Sequence, residues 1–310
     1  MAIKHFVNSS DLTKADYDEI IRRFNLFMTK GIPTDLLKGK VVATLFFQPS
    51  TRTMNMFQSA AIRAGGGWIG VMGEQGISME KGETLEDTAS EYSAFADAIV
   101  IRHPDDDSAE RAARAAHVPV INAGSGSREH AISAALMLPI LNDYLKKPVE
   151  GLKIGIYGTP EINRVCKALV PIMGLYGIEL YIDDLGEFPL PKEVEERARA
   201  NGIKKLEYAP VEKWIGEVDA LLVTRGLQKG IIPADKFPKE KEEAILKKYK
   251  PINMELVNKM RKDAIVYMIK PLIFEIDREV DKDPRAVYAH PEPYTETALA
   301  ILTFLWGIKV

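Results

Sequence analysis

Polar and apolar positions along this chain switch between two periods, and each switch predicts an element. Apolar residues at helical spacing run from Leu12 to Thr29 behind the capping pair Ser10-Asp11, which predicts a first helix. Val41 to Phe47 is a short, nearly unbroken apolar run, the mark of a strand buried on both faces. Gln48-Pro49-Ser50 breaks it, and a helix is expected to open at Ser50–Thr53 and reach Ala64. Further strands are expected at Trp68–Val71, Ala98–Arg102 and Val118–Asn122, the last running into Ala123-Gly124-Ser125-Gly126-Ser127. Ile77–Glu83, punctuated by Gly76 and Gly82, reads as a mobile loop, and a long helix is expected from Glu129 to Lys146.

Pro148, Glu150 and Gly151 then mark a boundary, after which the pattern restarts. Strands at Lys153–Tyr157, Ile178–Ile182, Ala220–Thr224 and Ile265–Ile269 alternate with helices from Ile162 and over Lys192–Asn201. Lys239–Lys250 is a charge run that reads as a solvated helix or loop. Such alternation predicts parallel sheets with right-handed crossovers. The expected fold is therefore α/β: two doubly wound parallel-sheet domains joined by long helices, 1–147 and 148–290. The last helix, Thr295–Trp306, is expected to pack back on the first domain within 295–310.

Composition narrows the class. Among 310 residues, 46% are hydrophobic and 27% charged, which excludes a wholly disordered chain or a low-complexity scaffold. A net charge of −3 argues against wrapping a nucleic-acid backbone. The one cysteine, Cys166, excludes an intrachain disulfide and a cysteine-rich zinc site, and no His/Asp/Glu cluster has zinc spacing. No metal or cofactor is expected. No apolar stretch suits a membrane span and the N-terminus lacks a signal-peptide layout, so a cytoplasmic location is expected.

Candidate chemistry lies at strand and helix ends. Ser50-Thr51-Arg52-Thr53 follows a buried strand and opens a helix, where first-turn N–H groups, hydroxyls and a guanidinium suit an anion; a capping serine beside a surface arginine has the same letters. Arg102 and Arg225 each end a buried strand, and Arg164 sits near a helix start. Any one is readily a surface residue. Together with Arg52 they suit one anionic cleft. His130, at the start of the long helix, is either a hydrogen-bond donor to a substrate oxygen or a helix cap, and Lys81 is either a ligand or a solvated loop lysine. Gly155–Gly158 is followed by Thr159-Pro160 and so is no dinucleotide fingerprint, and His290-Pro291-Glu292 reads as a turn.

These residues resemble the aspartate/ornithine carbamoyltransferase family. Ser50-Thr51-Arg52-Thr53 is similar to its carbamoyl-phosphate signature, and Lys81–Thr88 resembles a loop that aspartate enzymes send into a neighbouring subunit's site. Val100–Pro104, Val120–Gly124, Val218–Arg225 and Glu279–Lys282 match as well. The only cysteine is not in the His-Cys-Leu-Pro context of ornithine enzymes, which favours the aspartate branch. The resemblance implies transfer of the carbamoyl group of carbamoyl phosphate to the amine of L-aspartate, in pyrimidine biosynthesis. It implies a homotrimer with shared sites and leaves room for a regulatory chain. By residue, it implies that Ser50, Thr51, Arg52 and Thr53 bind phosphate, joined by Ser78 and Lys81 of an adjacent chain. Thr53, Arg102 and His130 would polarise the carbamoyl carbonyl, while Arg164 and Arg225, with Lys81 and Gln228, would hold aspartate.

The chain departs from the family around the carbamoyl group. Ser133 stands where a glutamine would hold the carbamoyl NH2, and Lys270-Pro271-Leu272-Ile273-Phe274 replaces His-Pro-Leu-Pro-Arg. The resemblance implies that backbone carbonyls at Leu272 and Ile273 receive that NH2 beside a cis Leu272–Ile273 bond, or through a rebuilt turn. The same departures leave two alternatives: a paralogue with another dicarboxylic acceptor, or a catalytically weak anion-binding partner protein.

Overall fold

The computed structural model describes residues 3–75, 77–226 and 238–310. It divides into two compact units, Met1–Pro139 with Pro293–Val310, and Ile140–Glu292. The division falls inside a helix, ahead of the Pro148 turn.

In the first unit, α1 (Lys14–Lys30) starts two residues later than its apolar pattern suggests. Its cap is Thr13, whose hydroxyl accepts the Asp16 N–H while the Asp16 carboxylate accepts the Thr13 N–H, and Ser9–Asp11 forms a separate 3-10 turn. Four strands follow: β1 (Val41–Phe46), β2 (Gly67–Met72), β3 (Ala98–His103) and β4 (Val120–Ser125). They alternate with α2 (Arg52–Arg63), α3 (Leu85–Tyr92) and α4 (Ser108–Ala115). The strands pair in parallel in the order β2-β1-β3-β4. β1 steps outward to β2, and β3 steps the other way to β4, so right-handed crossovers place α2 and α4 on opposite faces. That double cover buries β1 from Val42 onward, whereas edge strand β2 alternates and leaves Trp68 and Met72 exposed. α5 (Ile132–Leu145) carries the chain out of this unit, and α10 (Tyr294–Leu305) packs on α1 and α2.

The second unit has β5 (Lys153–Tyr157), β6 (Glu179–Asp183), β7 (Lys205–Tyr208), β8 (Ala220–Val223) and β9 (Ile265–Met268), parallel in the order β7-β6-β5-β8-β9. Its helices are α6 (Arg164–Leu175), α7 (Lys192–Ala200), α8 (Lys239–Lys248) and α9 (Met254–Val257). β7 has no counterpart in the sequence reading: it is a polar edge strand, three of whose four residues are exposed, so no apolar alternation marks it. The charge run forms α8. Cys166, in the first turn of α6, is 1% exposed, and burial pushes its thiol up to about 12. Asp219 closes the sheet's other end, accepting the Lys153 N–H at 2.8 Å and pairing with Arg261 at 2.9 Å and Lys147 at 3.3 Å.

Gly155 lies on β5 against the Trp214 ring, and a Cβ there would sit 2.2 Å from Trp214 Cζ3. Trp214 is 2% exposed and cannot move outward without opening the core. Gly155→Ala is expected to destabilise the chain by about 1–3 kcal/mol through overpacking. A lowered urea midpoint at unchanged m-value would show this; an unchanged midpoint would mean the ring has slack.

Candidate active site

Parallel pairing sets the site of the first unit. Phe46 and Arg102 are register partners at the ends of β1 and β3, and the Phe47 N–H donates to the Arg102 carbonyl at 2.7 Å. β1 and β3 are also where the strand order reverses, and the crevice above that switch is the usual ligand position of an open α/β sheet. Ser50–Thr53 and Arg102 both lie there. Thr51 is the residue before α2, already in helical conformation, and its side chain makes no capping bond. Thr53 is buried in the first turn, Arg52 is half-buried, and the Thr51 carbonyl accepts the Asn55 side chain at 2.6 Å. The first-turn N–H groups of a helix have no intrahelical partner, and those of α2 open at this switch point, a position that suits an anion.

β4 ends beside β3, with His103 paired to Ser125, and the chain reaches His130 through a pinned loop. Asp106 Oδ1 accepts the Ser127 N–H at 2.8 Å, and Gly126 has φ +47 where a Cβ would collide with that carboxylate. The buried Glu129 carboxylate accepts the Ser9 N–H at 2.7 Å. His130 precedes α5 instead of beginning it, and its carbonyl accepts both the N–H and the hydroxyl of Ser133, at 2.9 and 2.5 Å. The Ser133 proton is thus committed to the backbone, and the buried oxygen retains only acceptor capacity. Asp105 and Asp107 lie 3.3 and 3.7 Å from Arg111, which also grips Glu86 and holds that carboxyl down at about 2.

Ser78 and Lys81 are exposed at the two ends of a 3-10 turn, Ser78–Lys81, within the segment expected as a loop. Gly82 closes the turn in the left-handed region, φ +95. An open groove of about 870 Å³ runs beside it, lined by Ile69, Ser78, Glu83, Tyr92 and Phe95 among others.

The second unit repeats the arrangement. Its order reverses between β5 and β8, with Tyr157 and Val223 in register at their ends. Arg164, 4% exposed, is the first residue of α6 beyond β5, behind the Asn163 cap that accepts the N–H groups of Val165 and Cys166. Arg225 follows β8. Two hydroxyls tie these loops: the Thr159 N–H donates to Thr224 Oγ1 at 2.7 Å, and Thr159 Oγ1 donates to the Arg225 carbonyl at 2.7 Å. Gly158, φ +125, permits the approach, since a Cβ there would be 2.3 Å from Thr224 Oγ1. The buried Tyr249 hydroxyl donates to the Thr224 carbonyl at 2.6 Å. Gln228 lies outside the described residues. The sequence reading missed Thr159, Thr224 and Tyr249 because their partners are distant in the chain.

The turn after β9 corrects an expectation. The cis peptide bond is Lys270–Pro271, not Leu272–Ile273. A cis bond is ordinary before proline and rare before isoleucine. The turn is instead rebuilt with side-chain partners: Lys270 Nζ lies 2.6 Å from the buried Glu292 carboxylate, and Glu275 accepts the Ile273 N–H at 2.8 Å. Glu292, expected in a simple turn, therefore also anchors Lys270.

The family model described as aspartate/ornithine carbamoyltransferase, carbamoyl-P binding domain, matches residues 4–137. The aspartate carbamoyltransferase catalytic subunit of Thermococcus onnurineus is 33% identical over 91% of this chain and 90% of its own length. That of Sulfurisphaera tokodaii is 35% identical over 94% and 95%. Among solved structures, the catalytic subunit of M. jannaschii aspartate transcarbamoylase superposes with a TM-score of 0.84 at 32% identity, covering 98% of each chain. The Trypanosoma cruzi aspartate transcarbamoylase in complex with carbamoyl phosphate gives 0.85 at 26%, covering 99% of this chain and 96% of that one. The chain belongs to the aspartate/ornithine carbamoyltransferase family.

His103, beside Arg102, yields a pH prediction. Burial holds its imidazole below the ordinary 6.5, with Asp105 opposing, and its Nδ1 accepts the Asp105 N–H at 3.1 Å, as a neutral ring does. The unfolded chain then takes up the proton more readily, so this stability is present above 6.5 and is lost as pH falls below it. His103→Gln is expected to lose less thermal stability than the parent between about pH 7.5 and about pH 5.5. Parallel melting curves for the two proteins would refute it.

Proposed function

We propose that this chain is the catalytic chain of an aspartate carbamoyltransferase. It transfers the carbamoyl group of carbamoyl phosphate to the amine of L-aspartate, giving N-carbamoyl-L-aspartate and phosphate, as a cytoplasmic step of pyrimidine biosynthesis. The observation that carries the reading is the pair of switch points: hydroxyls and arginines at the first, Arg164 and Arg225 at the second.

Each residue then has a physical role. Ser50, Thr51, Arg52 and Thr53 hold the phosphate with the first-turn N–H groups of α2. Thr53, Arg102 and His130 donate to the carbamoyl oxygen and stabilise the oxyanion that forms when the amine attacks the carbonyl carbon. The C–O bond to phosphate then breaks, and phosphate departs with the proton the amine gives up. Ser133 and the carbonyls of the Leu272–Ile273 turn accept from the carbamoyl NH2. The forks of Arg164 and Arg225 match the two carboxylates of aspartate, with Gln228 and Lys81 assisting. No resident metal or cofactor enters these steps.

Assembly completes the site in this reading. Ser78 and Lys81 serve a neighbouring copy in a homotrimer. Exposed Ser78 and Lys81, together with exposed Trp68, Met72 and Phe95 on the same unit, support it, since a copy seated there would cover the apolar side chains. A regulatory chain is compatible with the same trimer.

Two measurements test the function. Arg225→Ala is expected to raise the KM for aspartate at least about tenfold, the loss of one charge-assisted hydrogen bond, while phosphate affinity stays within about twofold. Equal weakening of both would make Arg225 a folding residue. Mixing inactive Arg52→Ala and Lys81→Ala chains is expected to restore activity through hybrid sites carrying neither lesion; no recovery after demonstrated subunit exchange would exclude shared sites. A panel of amino and dicarboxylic acids, scored for phosphate release, separates aspartate from another dicarboxylic acceptor.

A further inference from the structure

One buried carboxylate in the second unit is used by none of these steps. Glu275 has no exposed surface. Its Oε1 accepts the Gly226 N–H at 3.0 Å, and its Oε2 accepts the N–H groups of Ile273 at 2.8 Å and Phe274 at 3.0 Å. Taking a carboxylate out of water is costly unless hydrogen bonds replace its hydration, and three backbone donors do so here.

The donors come from two places. Gly226 directly follows Arg225, the guanidinium assigned to an aspartate carboxylate. Ile273 and Phe274 belong to the turn assigned to the carbamoyl NH2. The packing agrees: a Cβ on Gly226 would lie 2.7 Å from Phe274 Cζ, so the loops touch and the position suits glycine. The Arg225 carbonyl is held from the other side by Thr159 Oγ1 at 2.7 Å. The turn's first residue is fixed separately, Lys270 pairing with Glu292, which also accepts the Tyr267 hydroxyl at 2.5 Å. Proline at 273 would lack the N–H that Glu275 accepts. The residue at 273 and the acid at 275 therefore work as a pair.

We propose that Glu275 is a positioning residue for carbamoyl transfer: its carboxylate locks the Arg225 loop to the Leu272–Ile273 turn, so that acceptor and carbamoyl group are presented in one fixed spacing. The proposal rests on the transferase reading above.

Glu275→Gln and Ile273→Pro, in the full-length chain, test it. Glutamine keeps the shape but turns an NH2 toward backbone donors, releasing one loop or the other. Glu275→Gln is expected to lower kcat and raise the KM for aspartate, each at least about tenfold, with inorganic phosphate affinity within about twofold of the parent. Ile273→Pro removes one donor and leaves the Gly226 bond, so kcat is expected to fall with little change in the KM for aspartate. The double variant is expected to be no worse than Glu275→Gln, because both act through one carboxylate. Additive losses, unchanged kinetics, or phosphate affinity falling in step with the aspartate KM would overturn the lock. Hydrogen exchange gives a readout independent of turnover. The amides of the released loop, either Gly226 or the pair Ile273 and Phe274, are expected to exchange at least about tenfold faster in Glu275→Gln. A parent protein that releases no phosphate would defeat the transferase reading alone, and unprotected amides in the parent would defeat the lock alone. If Glu275→Gln fails to fold, Ile273→Pro carries the kinetic test.

Discussion

Parallel strand pairing is the constraint from which the site follows. In a sheet whose strands all run one way, every carboxyl end lies on the same edge. Phe46 meets Arg102 in register on one sheet, and Tyr157 meets Val223, which meets Met268, on the other. Because successive crossovers keep one hand, a reversal in strand order moves the next helix to the opposite face and leaves a crevice uncovered. Each unit has one such reversal, and the residues with the strongest anion chemistry sit at it. A single slip of register at β1 or β5 would move those side chains without altering any of their identities.

Sheet pairing places the strand ends but does not set the spacing of the loops beyond them. That spacing comes from polar side chains bonded to backbone. Thr159 and Thr224 join the loops after β5 and β8, Glu275 joins the latter to the turn after β9, and Glu292 fixes Lys270. Net contributions of about 0.5–1.5 kcal/mol per bond understate their importance, because an orphaned buried acceptor costs more than the bond contributes. Geometry is therefore enforced by the penalty for breaking these contacts.

Much of this was legible in the amino-acid pattern, for physical reasons. Strands covered on both faces must be apolar throughout, so β1, β3, β5, β8 and β9 announced themselves, and the arginines at their ends could be placed with them. β7 escaped because a polar edge strand satisfies only backbone pairing. The cap of α1 was misplaced by a few residues because Ser10, Asp11 and Thr13 all suit a cap, and only the Thr13–Asp16 reciprocity decides. Of the two turns the sequence left open, a cis Leu272–Ile273 bond or a rebuilt one, the cis form is absent because the family's second proline is absent. Glu275 left a trace, an acid inside Leu272-Ile273-Phe274-Glu275-Ile276, but its role needed Gly226, far away in the chain. Gln228 falls outside the described residues.

Cys166 carries a consequence of a different kind. It lies in the first turn of α6, where the helix end would ordinarily favour a thiolate, yet burial dominates and keeps the sulfur protonated. Thiolate is the species that oxidants and alkylating agents attack. This is the chain's only cysteine, so the folded protein presents no reactive thiolate at neutral pH. Damage at this position must wait for the second unit to open. The rate at which a thiol reagent modifies the protein is therefore a clock for that opening, built into the native sequence without any label.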